Sequence, residues 1–96
     1  YPIPDCSNIC GITGFLKVAK LAEQYHLPVS SHGMQELHVN VLAGLENQGY
    51  LEFHSFPIWE WIEEPLKVEN GYVKPCRNPG VGVTFDWARL APYKVQ

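Results

Sequence analysis

Three polar residues at the ends of three successive apolar stretches are the positions where this sequence could carry chemistry: Asp5, His32 and Glu52. The stretches are typical of strands, and each interval between the polar residues has room for one helix and its loops. In parallel α/β barrels, reactive groups lie at the carboxyl ends of the strands, whereas residues inside the strands serve packing. A histidine and two carboxylates brought to such an edge are groups suited to proton transfer.

The segments between these residues have the periodicity of amphipathic helices. Apolar residues recur at three- to four-residue spacing over Thr13–Tyr25, and again over Gln35–Leu45. Between the helices, the stretch Leu27–Ser31 is apolar on both faces at its start, which is typical of a buried parallel strand. Gly49–Phe53 follows the second helix as a further strand. This order of strands and helices predicts an α/β fold.

After Phe53 the sequence changes character, because prolines and glycines divide it into short extended runs. Asn70-Gly71, between the runs Leu66–Val68 and Tyr72–Lys74, is a strong signal for a two-residue hairpin turn. The run Phe85–Leu90 has the pattern of a short closing helix. We therefore expect this half to differ in architecture from the first.

The length of the chain limits what it can form on its own. Its 96 residues are far fewer than the roughly 250 of a complete (β/α) barrel. We interpret residues 1–64 as the C-terminal part of a barrel domain, and residues 65–96 as an extension that packs on another part of the protein. Because a part-barrel leaves strand edges uncovered, we interpret the chain as a fragment.

Composition and charge exclude several classes of function. With a formal net charge of −3 and 18% charged residues, the chain lacks the Lys and Arg excess that binds nucleic acid or anionic membranes. Its three cysteines include no C-x-x-C pair, which argues against a disulfide framework and a cysteine zinc site. The sequence shows no secretory leader and no apolar run of about 18 residues. We therefore expect a cytoplasmic protein.

Five short motifs occur in a fixed order, namely Pro4-Asp5, Cys10-Gly11-Ile12-Thr13-Gly14, Pro28-Val29-Ser30-Ser31-His32, Tyr50-Leu51-Glu52 and Pro79-Gly80-Val81-Gly82-Val83. In this order and spacing they resemble the C-terminal part of the mandelate racemase and muconate lactonizing enzyme group of the enolase superfamily. The resemblance covers nearly the whole chain, although Cys10 stands where the group usually has a glycine. It implies strands six, seven and eight of a modified TIM (β/α) barrel, followed by a C-terminal extension toward a missing capping domain.

The same resemblance implies roles for the polar residues. Asp5 and His32 fall on a His–Asp dyad that acts as general acid/base, in which Asp5 orients and His32 transfers the proton. Glu52 falls on a carboxyl that hydrogen-bonds the substrate carboxylate as it becomes an enediolate, which requires Glu52 to be protonated. Candidates for substrate binding beside them are Ser31, Gly33 and His54.

Mg²⁺ is the cofactor that the resemblance implies, since this superfamily stabilises the enediolate with that metal. Its ligands and an opposing lysine base would lie upstream of this segment, so we assign no metal ligand within it. Glu36 and His38 could suggest a different metal site with His32, but they are two positions apart on a helix and face different ways. We expect the 96-residue chain to be inactive by itself.

The predicted function of the parent protein is abstraction of the proton alpha to a carboxylate. We favour an acid-sugar dehydratase of carbohydrate acid catabolism, with a racemase or epimerase of a 2-hydroxy acid or related carboxylate as the close alternative. A different alternative is a stand-alone structural or assembly element without catalysis. The expected partners are the carboxylate substrate, the rest of the barrel, the capping domain and further copies in a homo-oligomer, with neither nucleic acid nor a membrane.

Overall fold

The computed structural model describes residues 1–54 and 58–95 of the chain. Residues 55–57, in the predicted barrel part, and residue 96, at the end of the predicted extension, lie outside the described residues. None of the helices in the described ranges is long and apolar enough to span a membrane. The first half contains two long helices, and the second half contains only short elements.

Two α-helices in the first half match the predicted helices 13–25 and 35–45. Helix α1 spans Gly11–Gln24, and helix α2 spans Gln35–Ala43. At Gly14, in the first turn of α1, the helix backbone passes close to the chain that precedes the helix. A Cβ on Gly14 would lie only 1.4 Å from the carbonyl oxygen of Ile9. Only glycine permits this approach.

Three extended segments lie side by side and bring their polar ends together. In the middle segment, residues 28–32, two N–H groups donate to the carbonyl oxygens of residues 2 and 4, at 3.1 and 3.2 Å. On the other side, a parallel bridge joins Val29 to Gln48. The segments therefore run parallel, and the residues at their common edge are Asp5, His32 and Glu52.

The second and third of these segments, both predicted as strands, are extended but do not form a regular ladder in the described residues. Besides three backbone hydrogen bonds between these segments, two serine hydroxyls accept hydrogen bonds from backbone N–H groups. The N–H of Tyr50 donates to Oγ of Ser30 at 2.9 Å, and the N–H of Glu52 donates to Oγ of Ser31 at 3.1 Å. Because a Cβ on Gly49 would lie 2.6 Å from the Ser30 hydroxyl, a glycine is required for this close approach.

The hydrophobic core lies between α1, α2 and the middle extended segment. Phe15 and Val29 are fully buried, and burying such a side chain contributes about 1.5–3 kcal/mol. The other buried members of the cluster are Cys6, Ala19, Ala22, Val41 and Leu42. Two further apolar residues of the predicted helix 35–45, Leu37 and Leu45, are partly buried against this cluster.

The second half contains the predicted β-hairpin. Strand β1 (Val68–Glu69) pairs antiparallel with strand β2 (Tyr72–Val73). The residues between them, Asn70 and Gly71, have φ of 52° and 78°. A two-residue hairpin turn of this type requires positive φ at both central positions, so the sequence signal is confirmed.

Short helical elements flank the hairpin. They are a 3₁₀ helix at Ile58–Trp61, helix α3 at Trp87–Leu90 and a second 3₁₀ helix at Ala91–Tyr93. The carboxylate of Asp86 caps α3 by accepting a hydrogen bond from the N–H of Arg89 at 3.1 Å. An antiparallel bridge between Ile62 and Phe85 holds the flanking segments together.

Candidate active site

Asp5 and His32 form a hydrogen-bonded pair at the edge where the extended segments end. Nδ1 of His32 lies 3.2 Å from Oδ2 of Asp5. The other carboxylate oxygen, Oδ1, accepts hydrogen bonds from the N–H and the hydroxyl of Ser7, each at 2.8 Å. The His32 side chain is 50% exposed and that of Asp5 is 13% exposed, so the imidazole is accessible while its partner is held behind it.

Asp5 is stabilised as a carboxylate. Burial favours its neutral form, but the hydrogen bonds from Ser7 and His32 favour the charged form and hold the pKa of Asp5 below its ordinary value. A carboxylate at Nδ1 fixes the tautomer with hydrogen on that nitrogen, and it stabilises the imidazolium once the ring accepts a second proton. Nε2 of His32 is then the atom that can exchange protons with a substrate.

Glu52 is tied to the loop that follows His32. Its Oε2 accepts a hydrogen bond from the N–H of Gly33 at 2.6 Å, and its own N–H donates to the hydroxyl of Ser31. Because Oε2 already accepts, a proton on Glu52 would be carried by Oε1. Oε1 is therefore the atom through which Glu52 could donate to a substrate anion.

The three residues predicted to bind substrate lie in the same cluster but differ in what they offer. Ser31 is buried, and its hydroxyl accepts a hydrogen bond from the backbone N–H of Glu52. Gly33 has a φ of 57° and uses both its N–H and its carbonyl in hydrogen bonds within the cluster. The ring of His54 stands edge-on to that of His32, with the centroids 6.0 Å apart. Of the three, His54 is the one whose side chain borders the exposed imidazole.

The sequence that carries this arrangement matches a known protein family. The family described as enolase C-terminal domain-like matches residues 1–89 of the chain. The chain belongs to this family. The resemblance to the mandelate racemase and muconate lactonizing enzyme group, inferred from five motifs, is thereby confirmed, as is the α/β class.

Three proteins that are similar to this chain carry the names of enzymes. The 3,6-anhydro-alpha-L-galactonate cycloisomerase of Streptomyces coelicolor is 43% identical over 89 residues, covering 93% of this chain and 25% of that protein. A racemase from Streptomyces coelicolor, solved with bound magnesium, has a TM-score of 0.86 at 40% identity, covering 98% of this chain and 26% of that one. An L-talarate dehydratase from Polaromonas sp., complexed with Mg and L-glucarate, has a TM-score of 0.82 at 28% identity, with coverages of 98% and 25%. The chain thus spans about a quarter of the length of these relatives.

The described residues of this enolase C-terminal domain-like chain do not supply a magnesium site. Within residues 1–54 and 58–95, no group of three or more His, Cys, Asp or Glu side chains could hold a metal ion. The carboxylate of Asp5 is engaged by Ser7 and His32, and one oxygen of Glu52 accepts from a backbone N–H. These side chains therefore do not fit Mg²⁺ as a ligand set of their own.

His38 belongs to the site but is not predicted from the sequence, where its spacing from Glu36 only argues against a shared metal site. The structure buries its ring completely. Nδ1 of His38 lies 2.6 Å from the carbonyl oxygen of Gly33, and Nε2 accepts a hydrogen bond from the N–H of Cys6 at 3.1 Å. The signal in the sequence is a histidine on the apolar face of a helix, which by itself indicates only a core position.

Two surface grooves lie away from the Asp5–His32 pair. The larger, of about 810 Å³, is lined by residues of the hairpin and its flanks, and the smaller, of about 510 Å³, lies between α2 and Phe85. Neither groove includes Glu52 or the pair. The candidate chemistry therefore lies at the exposed edge of the segments, outside both of these grooves.

Proposed function

We propose that the protein containing this chain abstracts the proton alpha to the carboxylate of an acid sugar and eliminates water from it. The observation that carries the proposal is the Asp5–His32 pair, joined over 3.2 Å, beside Glu52 at one edge of parallel segments. The relatives support an acid-sugar substrate, since one is an L-talarate dehydratase complexed with L-glucarate and another is named for an anhydrogalactonate.

The proposed roles follow from where charge develops. Nε2 of His32 takes the alpha proton, and the electrons of the broken C–H bond move onto the carboxylate to give an enediolate. Asp5 stabilises the resulting imidazolium, and a protonated Glu52 donates to the substrate carboxylate as its negative charge grows. The imidazolium then returns the proton to the β-hydroxyl, which leaves as water, and the enol product tautomerises to a 2-keto-3-deoxy acid.

Parts of the protein outside this chain complete the proposed site. Bound Mg²⁺, as in the solved relatives, would supply positive charge opposite the substrate carboxylate, and we place its ligands outside these residues. We propose that residues 1–64 contribute strands six, seven and eight of the barrel, and that residues 65–96 pack on the barrel or a capping domain. On this proposal the chain is inactive by itself.

The test is a His32→Asn substitution in the protein at its natural length. We expect turnover of acid sugars such as L-talarate or galactonate to fall by about 10²–10⁴-fold, the usual contribution of a general acid/base. His26→Asn is the matched control, because His26 is exposed at the end of α1 with a φ of 55°, which asparagine tolerates. Wild-type turnover in the His32→Asn protein would show that the proposal is wrong.

A racemase or epimerase is the second candidate, because a solved relative at 40% identity is a racemase. The two reactions share the first step and differ in the fate of the β-hydroxyl. Mass spectrometry of the product separates them: dehydration lowers the mass by one water, whereas epimerisation leaves the mass unchanged. In D₂O, epimerisation alone would place deuterium on the alpha carbon of a product that keeps its β-hydroxyl.

A further inference from the structure

We propose that His38 is a positioning residue that fixes the Asp5–His32 distance, an inference that rests on the function proposed for that pair. His38 is 0% exposed, and its two ring nitrogens contact two different loops. Nε2 accepts from the N–H of Cys6, the residue after Asp5, at 3.1 Å. Nδ1 donates to the carbonyl oxygen of Gly33, the residue after His32, at 2.6 Å.

The partners of His38 allow one protonation form. A backbone N–H can only donate, so Nε2 must carry no hydrogen, and a backbone carbonyl can only accept, so Nδ1 must carry one. His38 is therefore a neutral imidazole with hydrogen on Nδ1. The distance between its two nitrogens is set by a rigid aromatic ring, so His38 holds the two loops at a constant separation.

The same link extends to the third residue of the site. Gly33 accepts from His38 through its carbonyl and donates to Oε2 of Glu52 through its N–H. Displacing the loop at Gly33 would therefore move both His32 and the partner of Glu52. One buried ring thus connects the loops that carry all three candidate catalytic side chains.

Packing keeps the ring of His38 in place. The ring of Phe15, also 0% exposed, lies against it with the centroids 5.2 Å apart. Because the ring is buried and hydrogen-bonded at both nitrogens, the position of α2 sets the spacing of the two loops. Misplacing reacting groups by about 1 Å can lower the rate about 10²-fold. Losing the fixed Asp5–His32 spacing should therefore slow proton transfer measurably.

The test compares three substitutions in the protein at its natural length. His38→Leu removes both hydrogen bonds, His38→Asn places an amide near Nδ1 only, and His38→Gln places one near Nε2 only. We expect kcat of His38→Leu to fall about 10²-fold, with KM changed less than about threefold. The two amide variants should fall in between, because each restores one link.

Leu42→Ala is the stability control, since Leu42 is a buried residue of the same helix that makes none of these hydrogen bonds. We expect it to lower Tm as much as His38→Leu and to retain kcat within about threefold. Equal losses of kcat in the two proteins, or wild-type kcat in His38→Leu, would overturn the inference. The His32→Asn result separates the two claims: if that protein is active the proposed function fails, and if it is inactive while His38→Leu is normal only the positioning role fails.

A measurement on the unmodified protein covers the case in which the variants do not fold. In a long-range ¹H–¹⁵N spectrum of histidine-labelled protein, we expect His38 to show hydrogen on Nδ1 and none on Nε2. Signals of the opposite tautomer would exclude the hydrogen bond from Cys6 and would overturn the inference.

Discussion

At the scale of single residues, the two oxygens of Asp5 have separate partners. Ser7 holds Oδ1 with two hydrogen bonds, so the carboxylate is kept in the orientation that presents Oδ2 to His32. Burial opposes ionisation of Asp5, but these bonds outweigh it and lower the pKa. Their contribution to stability is therefore complete above the ordinary value of 3.8 and is lost as the pH falls through the lower folded-state value.

Glu36 has the opposite shift. It is buried, its Oε1 has no hydrogen-bond partner within the described part of the chain, and burial raises its pKa above the ordinary value of 4.5. An acid whose pKa is raised on folding costs stability as the pH rises above its unfolded value. We expect Glu36→Gln to raise Tm at pH 7 and to change it little at pH 4, as measured by thermal unfolding of the natural-length protein.

The control for this prediction is Glu46→Gln, which removes the same charge from an exposed position. Its Tm should change little at either pH, because the carboxylate of Glu46 is solvated before and after folding. A gain for Glu36→Gln that is the same at pH 4 and pH 7 would contradict the assignment of the effect to ionisation.

At this scale the sequence is sufficient to propose the candidate side chains, but it does not indicate the residue that connects them. Asp5, His32 and Glu52 stand out because each lies at the end of an apolar stretch, with room for a helix between one stretch and the next. His38 does not, because its partners are backbone groups: Cys6 is 32 positions away, and Gly33 offers only a carbonyl. Which backbone groups meet a buried ring depends on the tertiary structure alone.

At the scale of elements, two serines of the middle segment bind the third segment through their hydroxyls, in addition to its backbone hydrogen bonds. The hydroxyl of Ser30 accepts a hydrogen bond from the N–H of Tyr50, and the hydroxyl of Ser31 accepts one from the N–H of Glu52. The two bonds are alike in type, but only the second holds a residue of the candidate site. They therefore provide a matched pair of substitutions.

We expect Ser30→Ala and Ser31→Ala each to leave a backbone N–H without its acceptor. Each substitution should lower the free energy of unfolding by about 1–3 kcal/mol, measured by urea denaturation. Only Ser31→Ala should also reduce kcat/KM, because it releases Glu52. If the two variants lose activity equally, the hydroxyl of Ser31 has no specific part in placing Glu52.

The elements themselves followed from the sequence to different degrees. The helices and the Asn70-Gly71 hairpin were predicted because their signals are local: apolar periodicity in one case and two residues that tolerate positive φ in the other. The third segment was expected as an ordinary strand. Its two hydrogen bonds to serine hydroxyls could not be predicted, since a serine in a strand does not indicate which backbone N–H its hydroxyl will accept from.

At the scale of the whole molecule, the chain is less compact than a typical domain of its length and exposes large apolar side chains. Its radius of gyration is 14.7 Å, against about 12 Å for a compact domain of this length. Large apolar side chains are exposed at both ends of the chain and near the site, among them Tyr1, Ile3, Tyr50, Trp87 and Val95. The matched relatives are about four times as long as this chain.

We expect the 96-residue chain, produced alone, to self-associate, because the outer edges of segments 2–5 and 47–52 would pair with other copies. Sedimentation velocity over a range of concentrations measures this directly. A monodisperse monomer with cooperative thermal unfolding would instead favour the alternative of a stand-alone structural element.

The hydrogen bonds that converge on Gly33 have a practical consequence for directed evolution of the proposed activity. Its positive φ and its two occupied backbone groups make position 33 a poor choice for randomisation, and the same holds for position 38. His54 borders the exposed imidazole of His32 through an edge-on ring contact. A library at position 54 would therefore change a side chain that the imidazole meets directly.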